Sequence, residues 1–71
     1  MRKVSSEEFR MWNVQILHRV GGELGSQVIV DNDGNTIGTS YFDWNGELRA
    51  QLIDGIFFID DSWDYSTDIE N

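Results

Sequence analysis

The sequence predicts an α+β fold in which an N-terminal helix packs on a four-stranded antiparallel β-meander. Between residues 27 and 60, the dipeptides Asp33-Gly34, Asn45-Gly46 and Asp54-Gly55 separate runs of strand-forming residues. Asn-Gly and Asp-Gly favour two-residue hairpin turns, because such turns require positive φ. Ahead of the turns, residues 5–20 have the apolar spacing of a helix.

The apolar face of the meander is the third observation. If each turn has two residues, the pairing of all four strands follows from the turns. The predicted pairs are Val30–Ile37, Val28–Thr39, Tyr41–Ala50, Thr39–Leu52, Leu52–Phe57 and Ala50–Ile59. This register collects on one face an almost wholly apolar set: Val28, Val30, Ile37, Thr39, Tyr41, Leu48, Ala50, Leu52, Phe57 and Ile59. The agreement between turn chemistry and face chemistry supports the sheet.

Residues 5–20 are predicted to form the helix that covers this face. Ser5, with Glu8 three places later, has the form of a capping box. One apolar stripe follows at spacings of three or four: Phe9, Trp12, Ile16 and Val20. An alternative remains open, because residues 12–20 also alternate between apolar and polar positions. As a strand, that segment would give a five-stranded, all-β, barrel-like sheet.

Composition indicates a single domain that spans residues 1–71. The chain has no cysteine, so neither a disulfide nor a thiolate metal site is expected. No apolar run approaches the length of about 18 residues that a membrane span needs. Arg2 and Lys3 are not followed by the apolar segment of a signal peptide. We therefore expect a cytoplasmic protein.

Charge is the unusual property of the chain. It carries 13 acidic and 5 basic residues, a net charge of −8. Residues 20–71 hold eleven of the acids and one base, Arg49, which is a local balance of −10. Arg49 is expected to lie across the sheet from Asp60 as an ion pair. Such a body repels nucleic acid and anionic lipid, so the predicted partner is a protein with a basic surface.

No motif in the sequence identifies a reaction. The stretch from Asp31 to Gly34 resembles the start of a calcium loop, but Ile29 and Ser40 occupy positions that need carboxylates. His18 is the single histidine, which excludes a Cys/His catalytic pair and a zinc site of the usual kind. Phosphate-binding glycine loops and the GxSxG motif are absent. We predict no enzymatic activity, no metal and no cofactor.

A second group of large side chains falls on the face of the meander that the helix leaves open. It comprises Phe42, Trp44, Ile53, Ile56 and Phe58. The acidic tail, residues 61–71, could cover this face through Trp63 and Tyr65; a second copy of the chain or a partner protein are the other options. Aromatic side chains ringed by charge are typical of binding hot spots. The candidate partner-binding residues are Phe42, Asp43, Trp44, Glu47, Ile56, Phe58, Asp60, Asp61, Trp63 and Asp64.

Rows of carboxylates on a strand can imitate a nucleic-acid backbone. Side chains two apart on one strand face are separated by about 6.8 Å, which is of the order of the phosphate spacing. In size, charge and absence of a catalytic motif, the chain resembles phage-encoded anti-restriction and anti-CRISPR proteins. This resemblance of overall profile implies a small inhibitor or adaptor that blocks a basic nucleic-acid-binding surface.

Two other functions remain open from the sequence. The chain could be a homo-oligomeric structural module that uses the Phe42, Trp44 and Phe58 face. It could also bind nucleic acid weakly through the basic N-terminal helix, although the overall charge opposes that function.

Overall fold

The computed structural model describes residues 1–20 and 23–64. They form one helix and an open five-stranded antiparallel sheet. The side chains of residues 19 and 20 are outside this description. The elements in chain order are β1 (Arg2–Val4), α1 (Ser6–Val20), β2 (Gly25–Val30), β3 (Thr36–Phe42), β4 (Leu48–Ile53) and β5 (Ile56–Ile59). Of the predicted tail, Tyr65 and the residues after it lie outside the described residues.

The strand order across the sheet is β1-β5-β4-β3-β2, and every neighbouring pair is antiparallel. Strands β2 to β5 form the predicted meander, and the α+β class is confirmed. The prediction of four strands is wrong, because β1 joins the sheet beside β5, with Arg2 opposite Ile59. The all-β alternative is also wrong, since residues 12–20 are helical and the sheet is not closed into a barrel.

Five of the six predicted pairs are present. They are Val28–Thr39, Tyr41–Ala50, Thr39–Leu52, Leu52–Phe57 and Ala50–Ile59. The sixth is wrong, because Val30 lies opposite Thr36 rather than Ile37. The turn at Asp54-Gly55 has two residues, with φ of 51° and 80° as a type I′ turn requires.

The other two hairpins have three-residue loops, not the two-residue loops that the sequence predicted. Asp31 N–H donates to the Asn35 carbonyl at 2.9 Å, and Asp43 N–H donates to the Glu47 carbonyl at 2.9 Å. Each loop ends on a glycine of positive φ, and each is followed by a register shift in the adjoining ladder. Because the bulge absorbs the additional residue, the pairing farther along the strands is the predicted one.

The helix α1 begins at a cap and buries one stripe against the sheet. The Ser5 hydroxyl oxygen accepts a hydrogen bond from Glu8 N–H at 3.1 Å, which confirms the predicted N-cap. Phe9 is buried, and its ring centroid lies 4.5 Å from that of Phe57. Ile16 is fully buried and Trp12 half-buried on the same stripe. The face that the helix contacts is the front face of the sheet.

The helix covers only part of the front face. One row of paired residues crosses all five strands there: Val4, Phe57, Leu52, Thr39 and Val28. The exposed fraction is 8% for Val4 at one end of this row and 58% for Val28 at the other. The apolar core lies under the helix at β1, β5 and β4. We expected the helix to cover the whole face, and this is wrong at Val28, Val30 and Leu48, which are exposed.

The back face of the sheet is opposite the helix. One row across it consists of Lys3, Phe58, Gln51, Ser40 and Gln27, and the next of Ile56, Ile53, Gly38 and Ile29. Ile53 and Phe58 are half-buried there, although the only helix of the described residues is on the front face. None of the helices described is long and apolar enough to cross a membrane.

Candidate functional site

The loop between β3 and β4 organises the candidate site. Its first residue, Asp43, is buried, and its carboxylate accepts hydrogen bonds from Asn45 N–H at 2.8 Å and Glu47 N–H at 3.0 Å. The Gly46 N–H donates to the Asp43 carbonyl at 3.0 Å. This side-chain cap fixes the loop and places the indole of Trp44 on the surface, where the residue is 46% exposed.

Arg49 joins this loop to the end of β5. Its guanidinium contacts three carboxylates, those of Asp43 at 2.8 Å, Glu47 at 2.9 Å and Asp60 at 2.9 Å. The ion pair with Asp60 is the predicted one, and the backbone also links the two residues, as Asp60 N–H donates to the Arg49 carbonyl. We call Arg49 and these three acids the arginine cluster. One guanidinium against three carboxylates leaves the cluster a charge of −2.

Two carboxylates of the arginine cluster, those of Asp43 and Asp60, are held ionised. Burial raises the pKa of Asp43, but the N–H of Glu47 and the guanidinium of Arg49 outweigh it, so the pKa is below its ordinary value. The hydroxyl of Ser62 is the main cause of the lowered pKa of Asp60, and Arg49 lowers it further against the effect of burial. Both residues therefore carry full negative charge at neutral pH.

All three tryptophans meet beside the arginine cluster. Trp63, after β5, has ring centroids 5.9 Å from Trp44 and 6.3 Å from Trp12 of the helix. The guanidinium carbon of Arg49 lies 5.1 Å from the Trp63 ring centroid, within the range of a cation–π contact. Trp63 and Trp12 are half-buried, whereas Trp44 is the most exposed of the three. Trp63 thus folds back, as the sequence suggested, but its contacts are with the β3–β4 loop, Arg49 and the helix.

A second group of ion pairs links β1, the helix and the segment that follows β5. Arg2 on β1 pairs with Glu8 of the helix at 2.7 Å and with Asp61 after β5. Its hydrogen bond to Asp61 is the main cause of a raised pKa for the guanidinium. Arg2, Glu8 and Asp61 are each about half exposed, so water screens these ion pairs and each contributes little to stability.

The structure brings together only some of the predicted binding residues. Asp43, Trp44, Glu47, Asp60 and Trp63 meet around Arg49, and Asp64 follows Trp63 on the surface. Phe42 ends β3 next to them and is half-buried.

Three predicted residues lie elsewhere. Asp61 belongs to the Arg2 group. Phe58 sits in the middle of the back face, opposite Lys3 and Gln51. Ile56 begins β5, at the end of the sheet away from Trp44. These residues therefore form two surfaces rather than one.

The central role of Arg49 was not predicted from the sequence. The available signal was that Arg49 is the single base among residues 20–71, so every acid folded near it competes for the same guanidinium. Trp12 was predicted as a core residue only, and its contact with Trp63 has no local signal. Among residues 1–20 and 23–64, no three His, Cys, Asp or Glu side chains are arranged as metal ligands.

Comparisons of the chain with protein-family models, curated proteins and solved structures found no match.

Proposed function

We propose that the chain is a small acidic inhibitor or adaptor that binds a basic surface of another protein. The preferred partner is a nucleic-acid-processing enzyme or complex whose nucleic-acid groove it occupies, in the manner of anti-restriction and anti-CRISPR proteins. The observation that carries this proposal is an exposed tryptophan, Trp44, in the loop beside an arginine that is already paired with three carboxylates.

Within the arginine cluster, Asp43 and Arg49 supply the support rather than the contact. The Asp43 side chain is fully buried, so it holds the loop and Arg49 in place. Glu47 is largely exposed and pairs with Arg49, and the exposed Asp64 directly follows Trp63 in the chain. A partner would therefore meet Trp44 as the apolar anchor and Glu47 and Asp64 as the acidic rim, which is the arrangement of a hot spot with a charged border.

Affinity purification from the natural host, followed by mass spectrometry, identifies the partner. Trp44→Ala should then weaken binding at least about tenfold, because it removes the apolar anchor. Leu17→Ala is the matched control, since Leu17 is exposed to nearly the same degree on the helix. Unchanged affinity of the Trp44 variant, or equal losses for both variants, contradicts the proposed contact.

Salt dependence tests the electrostatic part of the proposal. Association with the purified partner should slow as ionic strength rises, since opposite charges steer the encounter. Glu47→Gln should reduce this slope, whereas Asp33→Asn, in the exposed loop at the other end of the sheet, should leave it unchanged. A rate independent of salt contradicts a basic partner surface.

The back face supports a second candidate function, a homo-oligomeric interaction module. Phe58, Ile53 and Ile56 lie there, and the described helix packs on the opposite face. Sedimentation at micromolar concentration should then show a dimer that Phe58→Asp dissociates. A monomer at that concentration removes this candidate.

A further inference from the structure

The outer edge of β2 is an open strand edge of an unusual kind. β2 is six residues long, carries no charged side chain, and has no described strand, helix or loop paired to its outer side. Val28 and Val30 are 58% and 56% exposed on it. Natural sheets protect such edges with charges, proline or short strands, because an unprotected edge pairs with other chains. We propose that β2 is a docking site for an extended, basic segment of a partner protein, which adds as a sixth strand.

The backbone groups that such a strand needs are available. Asp31 N–H donates inward, to the Asn35 carbonyl across the hairpin. In an antiparallel ladder, successive residues direct their N–H and C=O groups to opposite sides. Alternation back from Asp31 therefore directs the N–H and C=O groups of Val30, Val28 and Ser26 outward. These three residues offer a donor and an acceptor each to an incoming strand.

The side chains would give the docked strand a preferred face. Val28 lies opposite Thr39, on the front face of the sheet, in the part that the helix leaves uncovered. A sixth strand with apolar residues at alternate positions would cover Val28 and Val30 and extend the apolar surface of the front face. Backbone pairing thus supplies affinity, and the two valines favour an alternating apolar sequence.

Charge selects the chemistry of the occupant. Glu23 precedes β2, and Asp31 and Asp33 follow it, all three exposed. Residues 20–48 contain no lysine or arginine, so nothing within the hairpin neutralises these acids. A strand with lysine or arginine on both sides of its apolar core would face opposite charge at both ends of β2.

A second copy of this chain fits the edge less well. Pairing β2 with its own copy in antiparallel orientation would bring the acids that follow one strand next to Glu23 of the other. Each chain also carries a net charge of −8, which opposes self-association. The docking site is distinct from the Trp44 surface, so it stands or falls independently of the proposed function.

Two synthetic peptides test the proposal on the full chain. Both have alternating valine and threonine in the centre, and one is flanked by lysines and the other by glutamates. In an NMR titration, the lysine peptide should shift and protect the amides of Ser26, Val28 and Val30, and should bind at least about tenfold more tightly than the glutamate peptide. Equal affinities, shifts centred on Trp44 or the back face, or no binding up to about 1 mM overturn the proposal.

Blocking the edge gives the second measurement. Val28→Pro removes an N–H that points outward, so the ladder with β3 is kept, and affinity for the lysine peptide should fall at least about tenfold. Val28→Thr is the control and should bind normally. If Val28→Pro fails to fold, a lysine peptide that is N-methylated at alternate residues makes the same test on the unaltered protein, since it cannot form the ladder. Unchanged binding by the N-methylated peptide overturns the proposal, as does a dimer of the free protein that Val28→Pro converts to monomer.

Discussion

β1 and β2 form the two edges of the same sheet, and they differ in length, charge and cover. β1 has three residues, two of which are Arg2 and Lys3, and its third, Val4, is buried under the helix. β2 has six uncharged residues, and all but Ile29 are exposed. A short, charged edge resists addition of a further strand, whereas a long, neutral, apolar edge invites it.

This difference shows how the small core is distributed. β1 pairs with β5 and the helix packs over both strands, so apolar burial is concentrated near the β1 edge of the sheet. The β2 side is held by its ladder to β3 and by its loop, with little apolar cover. A chain of 71 residues has too little apolar surface to build an equal core at both edges of the sheet.

The largest loss of stability is expected for Gly38→Ala. Gly38 lies on β3, the strand that connects β2 to the part of the sheet that the helix covers. A Cβ at this position would lie 1.8 Å from the Leu52 carbonyl oxygen, so the backbone of β3 or β4 would have to move. We expect the free energy of unfolding in urea to fall by at least about 3 kcal/mol.

Gly25→Ala is the matched control within β2. Its Cβ would lie 3.9 Å from the Phe42 carbonyl oxygen, an ordinary contact, and the change should stay within about 0.5 kcal/mol. Similar losses at both glycines would contradict a tight approach at Gly38.

The second largest loss of stability is expected for Asp43→Ala. It removes the cap of its loop and leaves a partly buried Arg49 with one carboxylate fewer, at a cost of about 2 kcal/mol in urea unfolding. Asp31 caps the β2–β3 loop with the same pattern of bonds but is exposed and pairs with no arginine among the described residues. Asp31→Ala should therefore cost clearly less, and equal costs would show that the arginine cluster adds nothing to the loop.

Val4→Ala and Val28→Ala compare the two edges directly, because both residues belong to one row of the front face. Val4 is buried, so its truncation should cost about 1.5 kcal/mol of unfolding free energy. Val28 is more than half exposed, and its truncation should cost about 0.5 kcal/mol or less. A larger loss for Val28→Ala than for Val4→Ala would place the core on the β2 side.

The smallest expected effect is a pH dependence of the Asp43→Ala result. The pKa values of Asp43 and Asp60 are lowered in the folded state, so these groups stabilise the fold above the ordinary aspartate pKa and lose that contribution as pH falls through the folded values. The difference in stability between the unaltered protein and Asp43→Ala should therefore shrink between about pH 5 and pH 2. Urea unfolding at several pH values measures it, and a constant difference would exclude the ionised form of Asp43 as its cause.

Local chemistry explains why most of the meander and the helix were predictable. Ser5, the apolar stripe that begins at Phe9, and the Asp-Gly and Asn-Gly dipeptides act over a few residues, and all appear in the structure where expected. The loop lengths were missed although a local signal existed. Asp31 and Asp43 each stand three places before a glycine, where a carboxylate can cap a three-residue loop.

The candidate site was predictable only in part. The pairing of Arg49 with Asp60 followed from the register, and the return of Trp63 towards the sheet was one of the expected options. The burial of Asp43 was not predictable, because it depends on Arg49 reaching the loop from β4. The separation of Ile56 from Trp44 was also missed, although the predicted register already places Ile56 beside the Asp54-Gly55 turn, at the opposite end of the sheet from the Asn45-Gly46 turn.

Local sequence was sufficient to predict the helix, the positions of the three turns, five of the six predicted strand pairs and the acidic character of the body, because each depends on neighbouring residues or on simple counting. Long-range contacts, by contrast, make residues 2–4 a strand and leave β2 uncovered by the helix. A three-residue segment has no periodicity of its own, and its strand forms because Arg2, Lys3 and Val4 find partners in β5, at the far end of the described chain. The position of the core follows from that same long-range closure.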